Sequence, residues 1–203
     1  MSVQTILLDF SMEPARLADE IGQKTVLSQL EAVLKDYIPN LLLAADIKLD
    51  GGSFKVLTGK KGTTVSVRLF DHGMVTVNIE YYKEDSEETL INFKSARVLE
   101  SQVKKYMTAT KSQAYVPLKR CLFSRYFPSS DERLLEYDID GVIVDEQSPF
   151  QRVQIVHSKS LGNMLVLDDL QNISEADIVY TENLMQRGKQ NYEGKEIVIL
   201  DNR

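Results

Sequence analysis

The chain has 203 residues, 43% hydrophobic and 27% charged, a composition close to that of folded globular domains, for which disorder is not the default expectation. Thirty acidic against 24 basic side chains leave a net charge of -6. The pairs Lys60-Lys61, Lys104-Lys105 and Lys119-Arg120 are scattered without interleaved aromatics, so no nucleic-acid face is expected.

Residues 5–10 read as a short strand, and residues 17–37 read as a helix because Ile21, Val26, Leu27, Leu30, Val33, Leu34 and Tyr37 recur at helical spacing before Pro39. Four strand-like runs follow at 41–49, 54–59, 63–70 and 74–82. The breaks between them carry Gly51-Gly52, Gly62 and Gly73, which are hairpin signals. Val65, Val67 and Leu69 alternate with Ser66, Arg68 and Phe70. Val75, Val77 and Ile79 alternate with Thr76, Asn78 and Glu80, so an antiparallel sheet with one covered face is expected. Residues 89–107 carry Leu90, Phe93, Val98, Leu99, Val103 and Tyr106 as an amphipathic helix. Residues 108–117 are polar and unpatterned and include Pro117, which places a linker there.

Beyond Arg133 strand follows strand: 134–138, 141–145, 152–157 and 163–167, a small antiparallel meander. Ser174-Glu175-Ala176-Asp177 has capping-box spacing with Asp in place of the usual Glu, and opens a helix that Gly188 ends. Ile197-Val198-Ile199-Leu200 is an apolar run behind that helix, the pattern of a buried parallel strand. No run approaches the ~20 apolar residues of a membrane helix, and the N-terminus carries no basic-then-apolar signal pattern. The single Cys121 cannot form an intrachain disulfide, so a cytoplasmic setting is expected.

The residue chemistry is sparse. His72 and His157 have no Cys or acidic partners at metal-ligand spacing, so no metal site is expected. Residues 58–64 superficially resemble a phosphate loop, but Phe54 stands where its first glycine belongs and no Ser or Thr follows Lys60. Glu136, Asp138, Asp140, Asp145 and Glu146 form an acidic cluster, open to two readings, a cation-attracting face or a solvated strand surface. In Gln147-Ser148-Pro149-Phe150-Gln151, proline fixes a turn and Gln151 offers donors and an acceptor to a ligand.

The stretch from Leu134 through Asp145-Glu146-Gln147-Ser148-Pro149-Phe150-Gln151 resembles the strand segment that precedes the catalytic domain in the spermine synthase family of polyamine aminopropyltransferases. Ile155-Val156-His157-Ser158-Lys159, Gly162-Asn163, Asp177-Ile178-Val179-Tyr180-Thr181 and Tyr192-Glu193-Gly194-Lys195 continue the likeness, and Asp71-His72-Gly73 extends it to the N-terminal half. The resemblance implies aminopropyl transfer from decarboxylated S-adenosylmethionine, a co-substrate, to spermidine, giving spermine and methylthioadenosine with no cofactor. It implies that Gln151 binds the donor or its thioether product and that Tyr180 contacts spermidine. Phe150 replaces the usual tyrosine, which keeps the aromatic wall and loses a hydroxyl.

The family continues its first parallel strand into a Gly-Gly-Gly-Asp-Gly loop, whereas Asp201-Asn202-Arg203 follows Leu200 here and Asp201 stands at a glycine position. The resemblance therefore implies an α+β chain: an N-terminal sheet-and-helix domain like S-adenosylmethionine decarboxylase at 1–110, a linker at 111–120, a small antiparallel β region at 121–173, and at 174–203 the incomplete start of a Rossmann-like domain. No catalytic residue is expected in the chain, since the family proton acceptor lies beyond Arg203. The expected chain is truncated and inactive alone, forms a homodimer through its N-terminal domain, and has a non-catalytic partner role as the alternative. Retained decarboxylation is disfavoured, because no self-cleavage segment that could yield a pyruvoyl group is evident.

Overall fold

Every second residue of strand β1 (Ser2–Ser11), namely Gln4, Ile6, Leu8 and Phe10, is buried, the signature of a strand with one covered face. This computed structural model describes residues 2–196, and the chain divides into two units, Met1–Leu122 and Phe123–Arg203.

In the first unit β1 is followed by helix α1 (Glu20–Leu34), strands β2 (Leu42–Leu49), β3 (Gly52–Thr58), β4 (Thr64–Phe70) and β5 (Met74–Lys83), helix α2 (Phe93–Tyr106), and strands β6 (Lys111–Ala114) and β7 (Leu118–Cys121). They form one antiparallel sheet in the order β2-β3-β4-β5-β1-β6, with β7 also on β1. Register aligns the inward side chains in rows: Ile6, Ile79 and Val65; Leu8, Val77 and Val67; Phe10, Val75 and Leu69. Buried residues of both helices join these rows in a single core.

Both helices start later than periodicity alone suggests, because their caps lie inside the periodic segments. Asp19 accepts from the Gly22 N–H at the start of α1. Asn92 and Ser95 form a reciprocal capping box on α2. Val26, Leu27, Leu30, Val33 and Leu34 form the buried stripe of α1. Ile21, nine residues before Leu30, lies two and a half turns away at about 3.6 residues per turn, on the opposite side, and is 77% exposed.

The expected linker at 111–120 is largely strand. β6 pairs with Leu8–Ser11 and β7 with Ser2–Thr5, so both occupy the same edge of β1 on either side of Pro117. Ladder pairing satisfies backbone groups irrespective of side-chain alternation, and an unpaired edge of β1 would leave its donors and acceptors without partners. An unpatterned sequence therefore enters the sheet, and the first unit extends through Leu122.

The second unit opens with a two-stranded ribbon of β8 (Tyr126–Pro128) and β9 (Leu134–Glu136). A four-stranded antiparallel meander follows, β10 (Ile139–Gln147), β11 (Arg152–Ser158), β12 (Gly162–Leu167) and β13 (Leu170–Ser174), paired in chain order. β13 carries no hydrophobic alternation and is held by its register with β12. The Ser174–Asp177 capping box forms as expected, but it opens a single 3-10 turn before α3 (Ile178–Leu184), which has no buried residue. Phe127, Ile139, Val156, Met164 and Val166 make the core. The expected parallel strand at 197–200 lies outside the described residues, and all strand pairs among the described residues are antiparallel.

Leu99 on α2 is fully buried, whereas its neighbour Val98 is 47% exposed. Leu99→Ala is expected to cost about 2–5 kcal/mol and Val98→Ala less than about 0.5 kcal/mol, measurable as shifts in the urea midpoint of the chain.

Candidate functional site

The turn that joins β10 to β11 is built around one hydroxyl. Ser148 Oγ accepts from the N–H groups of Phe150 at 3.2 Å and Gln151 at 2.9 Å and donates to the Gln151 carbonyl at 2.7 Å. The Ser148 N–H reaches that same carbonyl at 3.0 Å. This is the local side-chain-to-backbone bonding that Ser offers a turn. It leaves the Phe150 ring 92% exposed at the tip and the Gln151 side chain partly exposed. An exposed aromatic ring and, at the next residue, an amide that can both donate and accept are groups suited to a flat, polar-edged ligand such as a nucleobase.

Three of the five acids of the cluster, Asp138, Asp140 and Asp145, are bonded to neighbouring side chains of the second unit. Asp138 accepts from Ser158 and from Ser160, the latter at 3.0 Å. Asp140 meets His157 Nδ1 at 2.6 Å across the β10–β11 pair. Asp145 accepts from Arg152 Nε at 2.8 Å, Arg152 Nη2 at 2.6 Å and Gln154 at 3.1 Å. The carboxyls of Asp138, Asp140 and Asp145 are held below the usual carboxylate range chiefly by the hydrogen bonds from Ser158, His157 and Arg152 respectively. The His157–Asp140 contact is invisible to sequence spacing, because the partners are 17 residues apart and are joined only by strand register.

Tyr180 lies on α3 and is 48% exposed. Register sets it apart from Gln151. The Gln151 turn is at the end of the meander where Val153 pairs with Leu167 and the Asp168-Asp169 turn lies. α3 begins at the other end, where the Ala176 N–H donates to Leu161 O at 3.1 Å and Glu175 accepts from the Asn163 N–H at 2.9 Å. The seven residues of β11 separate the two ends by about 20 Å at the usual strand rise.

Elsewhere, residues 60–62 form a 3-10 turn inside the β3–β4 connection, with Lys61 at φ 54°, so the glycine-lysine stretch is a hairpin connection. His72 stacks on Phe70, with ring centroids 5.3 Å apart. Cys121 is partly buried on β7 and belongs to a different unit from His157. A cleft of about 610 Å³ in the first unit has Ile38, Pro39, Tyr82 and Leu90 among its walls and Lys60, Lys61 and Lys83 beside Glu87 and Glu88. A second, of about 600 Å³, places Lys55 with Asp46, and Ser53 with Gln23. Among the described residues no group of three His, Cys, Asp or Glu side chains converges on a metal position, and no helix is long and apolar enough to cross a membrane.

Residues 123–175 match the family described as "Spermidine synthase tetramerisation domain". The matched segment contains both strand groups of the second unit and the Gln151 turn, and it supports a place in a spermidine/spermine synthase family and a connection to polyamine biosynthesis. The crystal structure of the adenosylmethionine decarboxylase from Aquifex aeolicus VF5 is similar to the chain with a TM-score of 0.40 and 12% sequence identity, covering 61% of this chain and 93% of that one.

The lowered carboxyls make the second unit sensitive to acid in a defined direction. Each has a folded value below its unfolded one, so its stabilisation is complete above about pH 4 and is lost as pH falls through the folded value. Amide protection at Val142 and Val156 is expected to decline on acidification below about pH 4, and Asp140→Asn is expected to shrink that decline. Equal protection at neutral and acid pH would refute this linkage.

Proposed function

We propose that this chain is part of a spermine-synthase-type aminopropyltransferase, in which the Ser148-held turn presents Gln151 and the Phe150 ring to decarboxylated S-adenosylmethionine or methylthioadenosine, and Tyr180 contacts spermidine. The observation that carries the proposal is the construction of that turn within the segment matching the family. In the reaction the spermidine amine attacks a carbon already activated by the sulfonium. A C–N bond forms, the C–S bond breaks, the thioether leaves as methylthioadenosine, and a carboxylate takes the amine proton. Alignment and proton removal are what the protein must supply, and no cofactor or metal enters the proposal.

Gln151 and the start of α3 are at opposite ends of the meander. They thus become parts of one site only when further groups bridge them. By family resemblance the donor loop, the proton-accepting carboxylate and the other spermidine-binding acids lie beyond Arg203, so the isolated 203-residue chain is proposed to be inactive. Turnover of decarboxylated S-adenosylmethionine and spermidine to spermine by that chain would overturn the inactivity.

A second reading, a non-catalytic dimerisation or regulatory partner of the complete enzyme, is favoured by the description of the family that matches residues 123–175, a tetramerisation domain. The matched description bears on residues 123–175, whereas pairing through the N-terminal domain at 1–110 is what the family resemblance implies. Sedimentation of the purified chain is expected to give a dimer, and mixing it with the complete enzyme is expected to give a mixed assembly with altered activity; a monomer that forms no mixed species sinks this reading. For the donor site, methylthioadenosine titrated into the 15N-labelled chain is expected to move the resonances of residues 147–152, and Gln151→Ala to weaken the response about tenfold, which corresponds to about 1.4 kcal/mol.

A further inference from the structure

Asp168 and Asp169 form the two-residue connection between β12 and β13, closed by the pairing of Leu167 with Leu170. Both have left-handed backbone, φ 47° and 68°, a conformation that Gly and Asn adopt with less strain in two-residue hairpin turns. Two successive acids in this conformation are unusual, and their side chains show a use for them. Asp168 Oδ1 accepts the Arg152 N–H at 2.8 Å, and the Asp168 N–H donates to the Arg152 carbonyl at 3.1 Å. Asp169 Oδ1 lies 3.8 Å from Arg152 Nη1. On its other side the guanidinium forks onto Asp145 through Nε and Nη2, the bidentate geometry that fixes direction as well as distance.

Arg152 therefore ties β10, β11 and the β12–β13 turn together at the residue that directly follows Gln151. Ser148 holds the turn from within, and Arg152 holds it from outside. Strain at a functional site persists where surrounding contacts over-determine it, and here those contacts converge on one arginine.

We propose that Arg152 is a positioning residue: with Asp145, Asp168 and Asp169 it forms a clasp that fixes the direction in which Gln151 presents its amide. The ligand served by that amide rests on the donor-site reading above, whereas the clasp can be judged without any ligand.

The test is 15N relaxation on the 203-residue chain, compared between wild type, Arg152→Ala and Asp168→Gly. Glycine accepts the turn backbone without strain, so Asp168→Gly removes the carboxylate without forcing the hairpin. Both variants are expected to lose order at Phe150 and Gln151 while Val156 and Met164 keep theirs. Arg152→Lys, which keeps the charge and loses the fork, is expected to restore order only in part. Unchanged order at Gln151 in Arg152→Ala, or a loss spread evenly over β11 and β12, overturns the clasp. If Arg152→Ala does not fold, the near-isosteric Asp145→Asn decides by the same comparison. Methylthioadenosine titrated into wild type separates the two claims: no response removes the donor-site reading and leaves the relaxation result to judge the clasp.

Discussion

The first unit depends on the double-sided pairing of β1. One edge of that ten-residue strand is matched along its length by β5, and the other is shared by β6 and β7. Because backbone donors and acceptors in a covered sheet must find partners, this strand dictates where the rest goes. Its inward residues set the rows that Ile79, Val77 and Val75 continue, and those rows give both helices a surface to bury against. The sheet's inward face changes character at β3, where Ser53 and Lys55 are buried in place of aliphatic residues. Their hydroxyl and ammonium are satisfied by Gln23 and Asp46, as buried polar groups require.

Among the described residues, the second unit has less buried apolar material. Its buried cluster is small, and a core of that size gives limited stabilisation. Polar side chains therefore carry much of the definition of the strand ends: Asp138 with Ser158 and Ser160, Asp140 with His157, Asp145 with Arg152, and Glu175 with Asn163. An exposed ion pair such as Asp145–Arg152 contributes little individually, and the value of these polar contacts lies in fixing register and direction in strands with few apolar contacts.

What could be read in the sequence follows from this contrast. The alternation in β4 and β5 and the stripe of α1 were legible because burial on one face imposes a period. The turn at Ser148-Pro149 was legible because its residues act locally. β6, β7, β8 and β13 were not, since they are short or lack alternation and owe their place to a neighbour's unpaired edge. The exposed sides of α1 and α2 misled for the opposite reason: Ile21 and Val98 look like core residues by type, and only the helical angle turns them outward. The Arg152 contacts and the His157–Asp140 pair depend on register between strands, which no spacing rule along the chain encodes.

The arrangement around β1 also sets an order of events during synthesis. This strand is made before its partners, which are residues 74–83 on one edge and residues 111–121 on the other. Its ladder cannot close until residues 111–121 have been made, and pairings of such long sequence separation are intrinsically slow to form. Through that interval an alternating apolar strand has at least one open edge, a state in which nascent chains are exposed to wrong partners. The short, unpatterned strands β6 and β7 thus act as the closing step that covers the second edge of β1.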